Sequence, residues 1–403
     1  MATQSGANVL VNYKVELAAS PGTAATGGAA TGERLRFLRG SPGLDLARGN
    51  IQSTERRPDG LMPMGRLGGK SVAGSYNVEL SQGSFDTLIE ALMRSTWVST
   101  VAITQTAMTS ITTTAGPPGT IVAAAGSWIT QGVRVGDIVI LTGHADAANN
   151  SKLLHVTAVT TTTVTVAETL TTNATPDATF TLTIQKKIIT ASPYTRRSFT
   201  IEEYWQDIDL SEQFLGCRVV SMQIRLQPNG MALATFGFVG MDRSLLASGA
   251  SPYFTSPTEY TSIALVADDA TIRYRGAAMA QFTGLELNFQ ITAAGQSVLG
   301  SLVSPDVYDN DMAVSGQLTR VVDDHDDHTA FDAETEFEIE CTLVEPEAEP
   351  KSFLHLFFPR VKIAGATSVL GGDGPRIDTH PLMIGPKVAA TGYDGTICSI
   401  LTG

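Results

Sequence analysis

GKSVAGSYNVEL (residues 69–80) and DMAVSGQLTRV (residues 311–321) read alike. Each reads as a strand with alternating faces, each follows a long loop, and each precedes a helix-like segment. The first loop spans residues 34–70 and the second 293–310. Working outward, a strand precedes each loop, over 9–18 in the first copy and 283–292 in the second. Strands then follow each helix-like segment, and the stretch 216–240 parallels 359–385, each a strand, a glycine-containing turn and a returning strand. Those turns are Pro228-Asn229-Gly230 and Gly371-Gly372-Asp373-Gly374. The order predicts two copies of one β-rich domain, each with a single helix.

The helix of the first copy is predicted from the run after Ser84, a cap-type residue, because Phe85, Leu88, Ile89, Leu92 and Met93 fall on one face. Its counterpart in the second copy is a short helix over 329–333. Between the first helix and the strand at 197–205 lies a stretch of different composition, 101–185, crowded with Thr, Val and Ala. Its β-branched alternation at 135–141, 153–159, 163–166 and 179–184, broken by turn signals such as Asn149-Asn150, predicts a small all-β unit. Both ends of that unit enter one loop, so it is expected to project outward from the first copy, where extra chain costs little closure entropy.

At 403 residues the chain is long enough for two to three domains. Charged residues are only 17% and the net charge is −13, which gives no basis for tight nucleic-acid or anionic-membrane affinity. Cys217, Cys341 and Cys398 lie far apart without CxxC spacing and are read as reduced, packed thiols. No stretch has the length and apolarity of a membrane span or signal peptide, so no membrane is expected and a cytosol-like compartment of synthesis is.

Three segments carry a resemblance to a known family: FLGCRVVSMQIRLQPNGMALATFGFVGMD, GLELNFQITAAGQSVLGSLVSPDVYDNDMAVSGQLTRVV and FFPRVKIAGATSVLGGDGPRIDTHPLMIG. Together with GKSVAGSYNVELSQGSFDTLIEALM they resemble the tail tube (major tail) proteins of long-tailed bacteriophages. The inserted stretch GVRVGDIVILTGHADAANNSKLLHVTAV (residues 132–159) resembles small β modules found within phage structural proteins. The resemblance implies a mainly β fold: two tandem tail-tube β-sandwich or barrel domains, each with one flanking helix, plus the small all-β insertion domain. Their expected extents are 1–100 and 191–245 for the first, 101–190 for the insertion and 246–403 for the second.

The same resemblance implies a structural virion protein, not an enzyme, without cofactors, that polymerises into stacked rings. Its implied partners are itself, a tape-measure protein in the lumen, tail terminator and distal tail proteins at the ends, and passing double-stranded DNA held without specific binding. The implied location is the virion tail, assembled in the host bacterial cytoplasm. Rings of this family close with six domains. A duplicated chain is therefore expected to form trimers with pseudo-sixfold symmetry.

Loop 34–70 is rich in Arg in an acidic chain, and Arg56, Arg57 and Arg66 with Leu61, Met62 and Met64 are expected to make the contact between rings. A disordered basic loop without a partner is the alternative. A DNA conduit gains from carboxylates, which repel phosphate, and Glu16, Glu79 and Glu286 are expected to line the lumen because they lie on the paired strands. The cluster Asp323, Asp324, His325, Asp326, Asp327 and His328 has metal-type donors but neither HExxH nor EF-hand spacing, and is read as a solvated acidic turn. Its alternatives are a weak structural cation and a metal-dependent hydrolase. A surface or virion adhesin, with the insertion binding carbohydrate through Trp128, is the competing function.

Overall fold

A computed structural model describes residues 8–29, 31–346, 350–366, 374–388 and 392–403. The expected turn at 371–374 thus lies outside the described residues except for Gly374, as does the start of the chain. The fold is mainly antiparallel β. The strands of the first unit that matter here are β1 (Val9–Val15), β2 (Gly43–Ile51), β3 (Arg66–Glu79), β4 (Phe199–Trp205), β5 (Leu210–Leu226) and β6 (Leu233–Gly240). They pair in the order β1-β4-β5-β6-β3-β2. The second unit is built from β7 (Ala270–Tyr274), β8 (Phe282–Gly295), β9 (Val307–Val321), β10 (Phe337–Val344), β11 (Phe353–Ile363) and β12 (Ile377–Ile384). It pairs in the order β7-β10-β11-β12-β9-β8.

The two orders are the same, and the equivalence holds residue by residue. Phe199 and Phe337 each precede a register shift that places Ile201 opposite Phe214 and Ile339 opposite Phe358. Tyr13 lies opposite Ile201 as Tyr274 lies opposite Ile339, and Leu44 opposite Gly74 as Leu287 opposite Gly316. Both glycines sit at close approaches: a Cβ on Gly74 would collide with the Gly43 carbonyl, and one on Gly316 would sit 3.0 Å from the Glu286 carbonyl.

This pairing corrects two expectations. The counterpart of Val9–Val15 in the second copy is Ala270–Tyr274, not 283–292, which instead corresponds to β2. The reason is that each expected long loop is mostly a hairpin: β2 and β3 are joined by 52–65, and β8 and β9 by 296–306. The match between 216–240 and 359–385 also needs a one-residue offset, since Cys217 is equivalent to Val361.

Helix α1 (Asp86–Met93) buries Leu88, Ile89, Leu92 and Met93 against the sheet, and α2 (Asp326–Asp332) takes its place in the second unit. The N-cap position of α1 is Phe85, not Ser84, whose hydroxyl instead accepts from Ser81 at 2.7 Å. A common core runs through both units, from Val72, Phe236 and Met222 to Leu287, Phe289 and Phe358.

Between α1 and β4, eight strands from Val101–Thr104 to Thr181–Ile184 form a separate antiparallel sheet over their own core, centred on Trp128, Val139, Leu154 and Val164. It does not hang free of the rest. Phe357 of β11 enters its core, and Ile138 packs with Phe353 and Leu401. A polar chain crosses the same contact: His155 Nε2 lies 2.8 Å from Thr342 Oγ1, Thr342 Oγ1 2.8 Å from His355 Nδ1, and His355 Nε2 3.1 Å from the Gly136 carbonyl. Lys187 bridges Asp137 and Asp394 at 2.7 and 2.9 Å. The insertion enters from the first unit but is seated on the second.

Candidate assembly and conduit surfaces

The two halves of strand β5 do different work. Its first half pairs with β4, while from Ser221 to Leu226 it pairs with β8 through six rungs, Ser221 opposite Gln290 to Leu226 opposite Leu285. The two units therefore share one antiparallel sheet in the order β2-β3-β6-β5-β8-β9-β12-β11. Because side chains alternate across a strand, one face of this sheet is the core face and the other is left to solvent.

The solvent face is lined largely by polar side chains in its two central rows. One row across it reads Asn77, Thr235, Gln223, Asn288, Ser315, Met383, and the next reads Glu79, Leu233, Arg225, Glu286, Gln317, Pro381. The first row continues to Lys362 of β11, opposite Met383, so the ionisable groups of these rows are Glu79, Arg225, Glu286 and Lys362; Arg225 lies 3.3 Å from Glu286 and Lys362 3.4 Å from Glu334. Burial pushes the Glu286 carboxyl up, but hydrogen bonds from Asn288 and Gln223 together with the Arg225 charge outweigh it and hold the group below its ordinary value.

The register thus brings Glu79 and Glu286 onto one face and one row. It removes Glu16 from the set. That carboxylate is buried, accepting from the Gly22 and Gly216 amides at 2.8 and 2.9 Å and from the Ser198 and Thr200 hydroxyls at 2.7 and 3.0 Å. A carboxylate with four donors around it ties the end of β1 to its neighbours and is not on the solvent face. Arg225, Gln223, Asn288 and Gln317 were missed by sequence reasoning; only the cross-strand register puts them beside the glutamates.

The two hairpin tips form a second surface. Leu61, Met62 and Met64 are 65, 73 and 94% exposed, and Leu299 of the second tip is fully exposed. The tips belong to the same side, since the Lys70 amide of β3 donates to the Leu302 carbonyl at 2.7 Å. Arg57 is engaged within its own tip by Asp59 at 2.7 Å, while Arg56 and Arg66 are exposed. So the expected contact residues share one hairpin end, but Arg57 already has a partner and the apolar residues are the more accessible part.

The acidic segment at the start of α2 is organised around a cation of the protein itself. Arg320, 2% exposed, lies 2.7 Å from Asp327 and 2.8 Å from Asp324, with Asp323 at 3.6 Å. Asp327 also accepts from the Tyr274 hydroxyl at 2.7 Å, as Glu33 accepts from the equivalent Tyr13 at 2.7 Å. His325 and His328 stack at 6.1 Å between ring centres, and Asp326 starts the helix. Asp327 is buried, so the segment is not a wholly solvated turn. Among the described residues no group of three His, Cys, Asp or Glu side chains is placed to hold a metal ion.

The competing readings meet specific obstacles. Trp128 is fully buried in the insertion core with Nε1 donating to the Thr162 carbonyl at 3.0 Å, so it offers no platform for a sugar. The three cysteines are buried free thiols. No helix among the described residues is long and apolar enough to cross a membrane.

Comparison with known proteins bears on all of these surfaces. A family model described as phage tail tube protein matches the sequence twice, over residues 6–201 and over 160–380. A search of curated proteins found no match.

Proposed function

The chain belongs to the phage tail tube protein family, a structural component of the virion tail, and from that membership we propose that it polymerises into stacked rings forming a conduit for genome delivery. In this reading the tandem domains, with extents 1–100, 191–245 and 246–403 around an insertion at 101–190, contribute two wall segments per chain. Three chains then present six similar segments and close a pseudo-sixfold ring. The observation that carries the reading is the single eight-stranded sheet running through both units, whose solvent face carries polar side chains and both Glu79 and Glu286.

That face lines the lumen, with Glu79 and Glu286 among its acidic groups and its cations Arg225 and Lys362 each beside a carboxylate, Glu286 and Glu334. Duplex DNA sliding past it meets amides, hydroxyls and carboxylates. Few lysines or arginines gain counterion-release affinity, so drag on the phosphates is low. The hairpin tips 52–65 and 296–306 reach toward the neighbouring ring and make the axial contacts. The tape-measure protein occupies the lumen during assembly in the host cytoplasm, and terminator and distal tail proteins cap the two ends.

Negative-stain imaging of the purified full-length chain tests this. Hollow tubes or stacked rings are expected. Particles that remain monomeric at high protein concentration, with no rings or tubes, would contradict it.

A further inference from the structure

The polar chain across the seat of the insertion fixes where its protons lie. The Gly136 carbonyl can only accept, so His355 Nε2, 3.1 Å away, carries a hydrogen. His355 is fully buried, and burial, with the charges of His155 and Arg273, pushes it well below its ordinary value against the Gly136 hydrogen bond. The ring is therefore neutral and its Nδ1 is a bare acceptor. The Thr342 hydroxyl, 2.8 Å from that Nδ1, directs its one hydrogen there. Its oxygen is left to accept from His155 Nε2 at 2.8 Å, which must carry a hydrogen too.

The chain ends on a carboxylate. His155 Nδ1 lies 2.6 Å from Glu168 Oε1, a distance that needs a hydrogen between them, while Glu168 Oε2 accepts from the His155 amide at 2.8 Å. With Nε2 already protonated, that hydrogen makes the ring an imidazolium beside a carboxylate, or sits on Glu168 with the ring neutral. Either way the pair holds one proton more than a neutral imidazole and an ionised carboxylate do. Removing it breaks a link wherever the other hydrogens go. If the ring keeps its hydrogen on Nε2, the bare Nδ1 faces the carboxylate. If the hydrogen moves to Nδ1, Thr342 must turn to His155, and His355 Nδ1 loses its donor. A buried polar atom left unpaired at the boundary between two packed bodies weakens their contact.

Other charges act on the pair from the elements packed around it. Glu340 of β10 interacts with His155, Arg273 of β7 lies 3.4 Å from Glu340, and Glu338 stands two residues earlier on β10. Beside Gly136, Lys187 is held by Asp137 and Asp394.

We propose that the insertion is locked onto the second unit by one proton held between His155 and Glu168, and that the seat opens as pH rises and that proton leaves. The seated form binds the proton and the open form need not, so seating is present at low pH and is lost on the alkaline side. The lock belongs to the single chain and needs no ring or tube, so its failure would leave the tube reading untouched.

The test is thiol labelling of the full chain carrying Ile138→Cys, a position fully buried against Phe353 and Leu401, with and without Glu168→Gln. The native thiols are buried. A carboxamide at 168 can accept from the His155 amide and donate to a bare Nδ1, so it completes the chain around a neutral ring and needs no extra proton. Comparing the two proteins at each pH cancels the ionisation of the reporter thiol. Working from about pH 7.5 to about pH 9.5 stays above the value of about 7 at which Glu340 ionises. The ratio of the labelling rate with Glu168 to the rate with Gln should rise with pH, by up to about tenfold per unit, the limit for one linked proton. A ratio that stays flat across that range, or a Gln variant that labels faster throughout, would overturn the lock. Leu153→Cys, packed at the edge of the same cluster with Val344, gives a second reporter with the same readout should Ile138→Cys disturb the fold.

Discussion

Glu340 is a buried carboxyl, 4% exposed, in the strand that carries the contact with the insertion. Burial pushes its carboxyl up to about 7, against the pull of His155 and Arg273 and with the help of Glu338 and Glu168. Its ordinary value in an unfolded chain is about 4.3. The folded state therefore holds a proton that the unfolded state releases, and the resulting stability is fully present below about pH 4 and is lost as pH rises toward 7. Unfolding free energy of the unassembled protein should fall by at most about 1.4 kcal/mol per pH unit across that window. Denaturant titrations at several pH values should show this component vanish in Glu340→Gln; an unchanged slope in the variant would refute it. The equivalent residue, Glu202, accepts instead from the Tyr253 and Phe254 amides at 2.6 and 3.0 Å and from the Ser211 hydroxyl at 2.7 Å. Glu16 and Glu286 likewise look interchangeable in the sequence, both being carboxylates on alternating strands. One is enclosed by four donors and the other faces solvent, a difference set by which strand lies opposite and invisible to local pattern.

At the scale of elements, α1 was legible because its apolar residues repeat at helical spacing and need no partner to be recognised. The strand β3 was legible from its period-2 alternation, which likewise needs no partner to be recognised. Strand β2 was not: Gly43, Gly49 and Asn50 are poor strand formers, and its pairing with β3 depends on contacts the local sequence does not encode. Recognising it turns a long loop into a hairpin whose tip carries Leu61, Met62 and Met64. Burying such side chains between rings contributes roughly 1.5 to 3 kcal/mol each and repeats with every chain of the ring. The double variant Leu61→Asp, Met64→Asp should therefore leave single rings that do not stack, with the far-ultraviolet circular dichroism of the parent. Tubes of normal length from that variant would show that the tip is not the axial contact. The seat of the insertion was equally illegible, because Phe357 and His355 lie about two hundred residues downstream of the Gly136 turn they meet.

For the whole molecule, the duplication was readable from element order, while its alignment required the pairing registers. Phe199 and Phe337 beside matching register shifts, and Gly74 and Gly316 at matching close approaches, define two copies of one wall segment joined by β5 and β8. If each segment subtends one sixth of a ring, the chain subtends one third. The most direct test is electron cryomicroscopy of end-on rings averaged without imposed symmetry. The account predicts three copies of the chain per ring, hence three insertion domains around six similar wall segments. Six copies per ring, with six insertion domains, would contradict it.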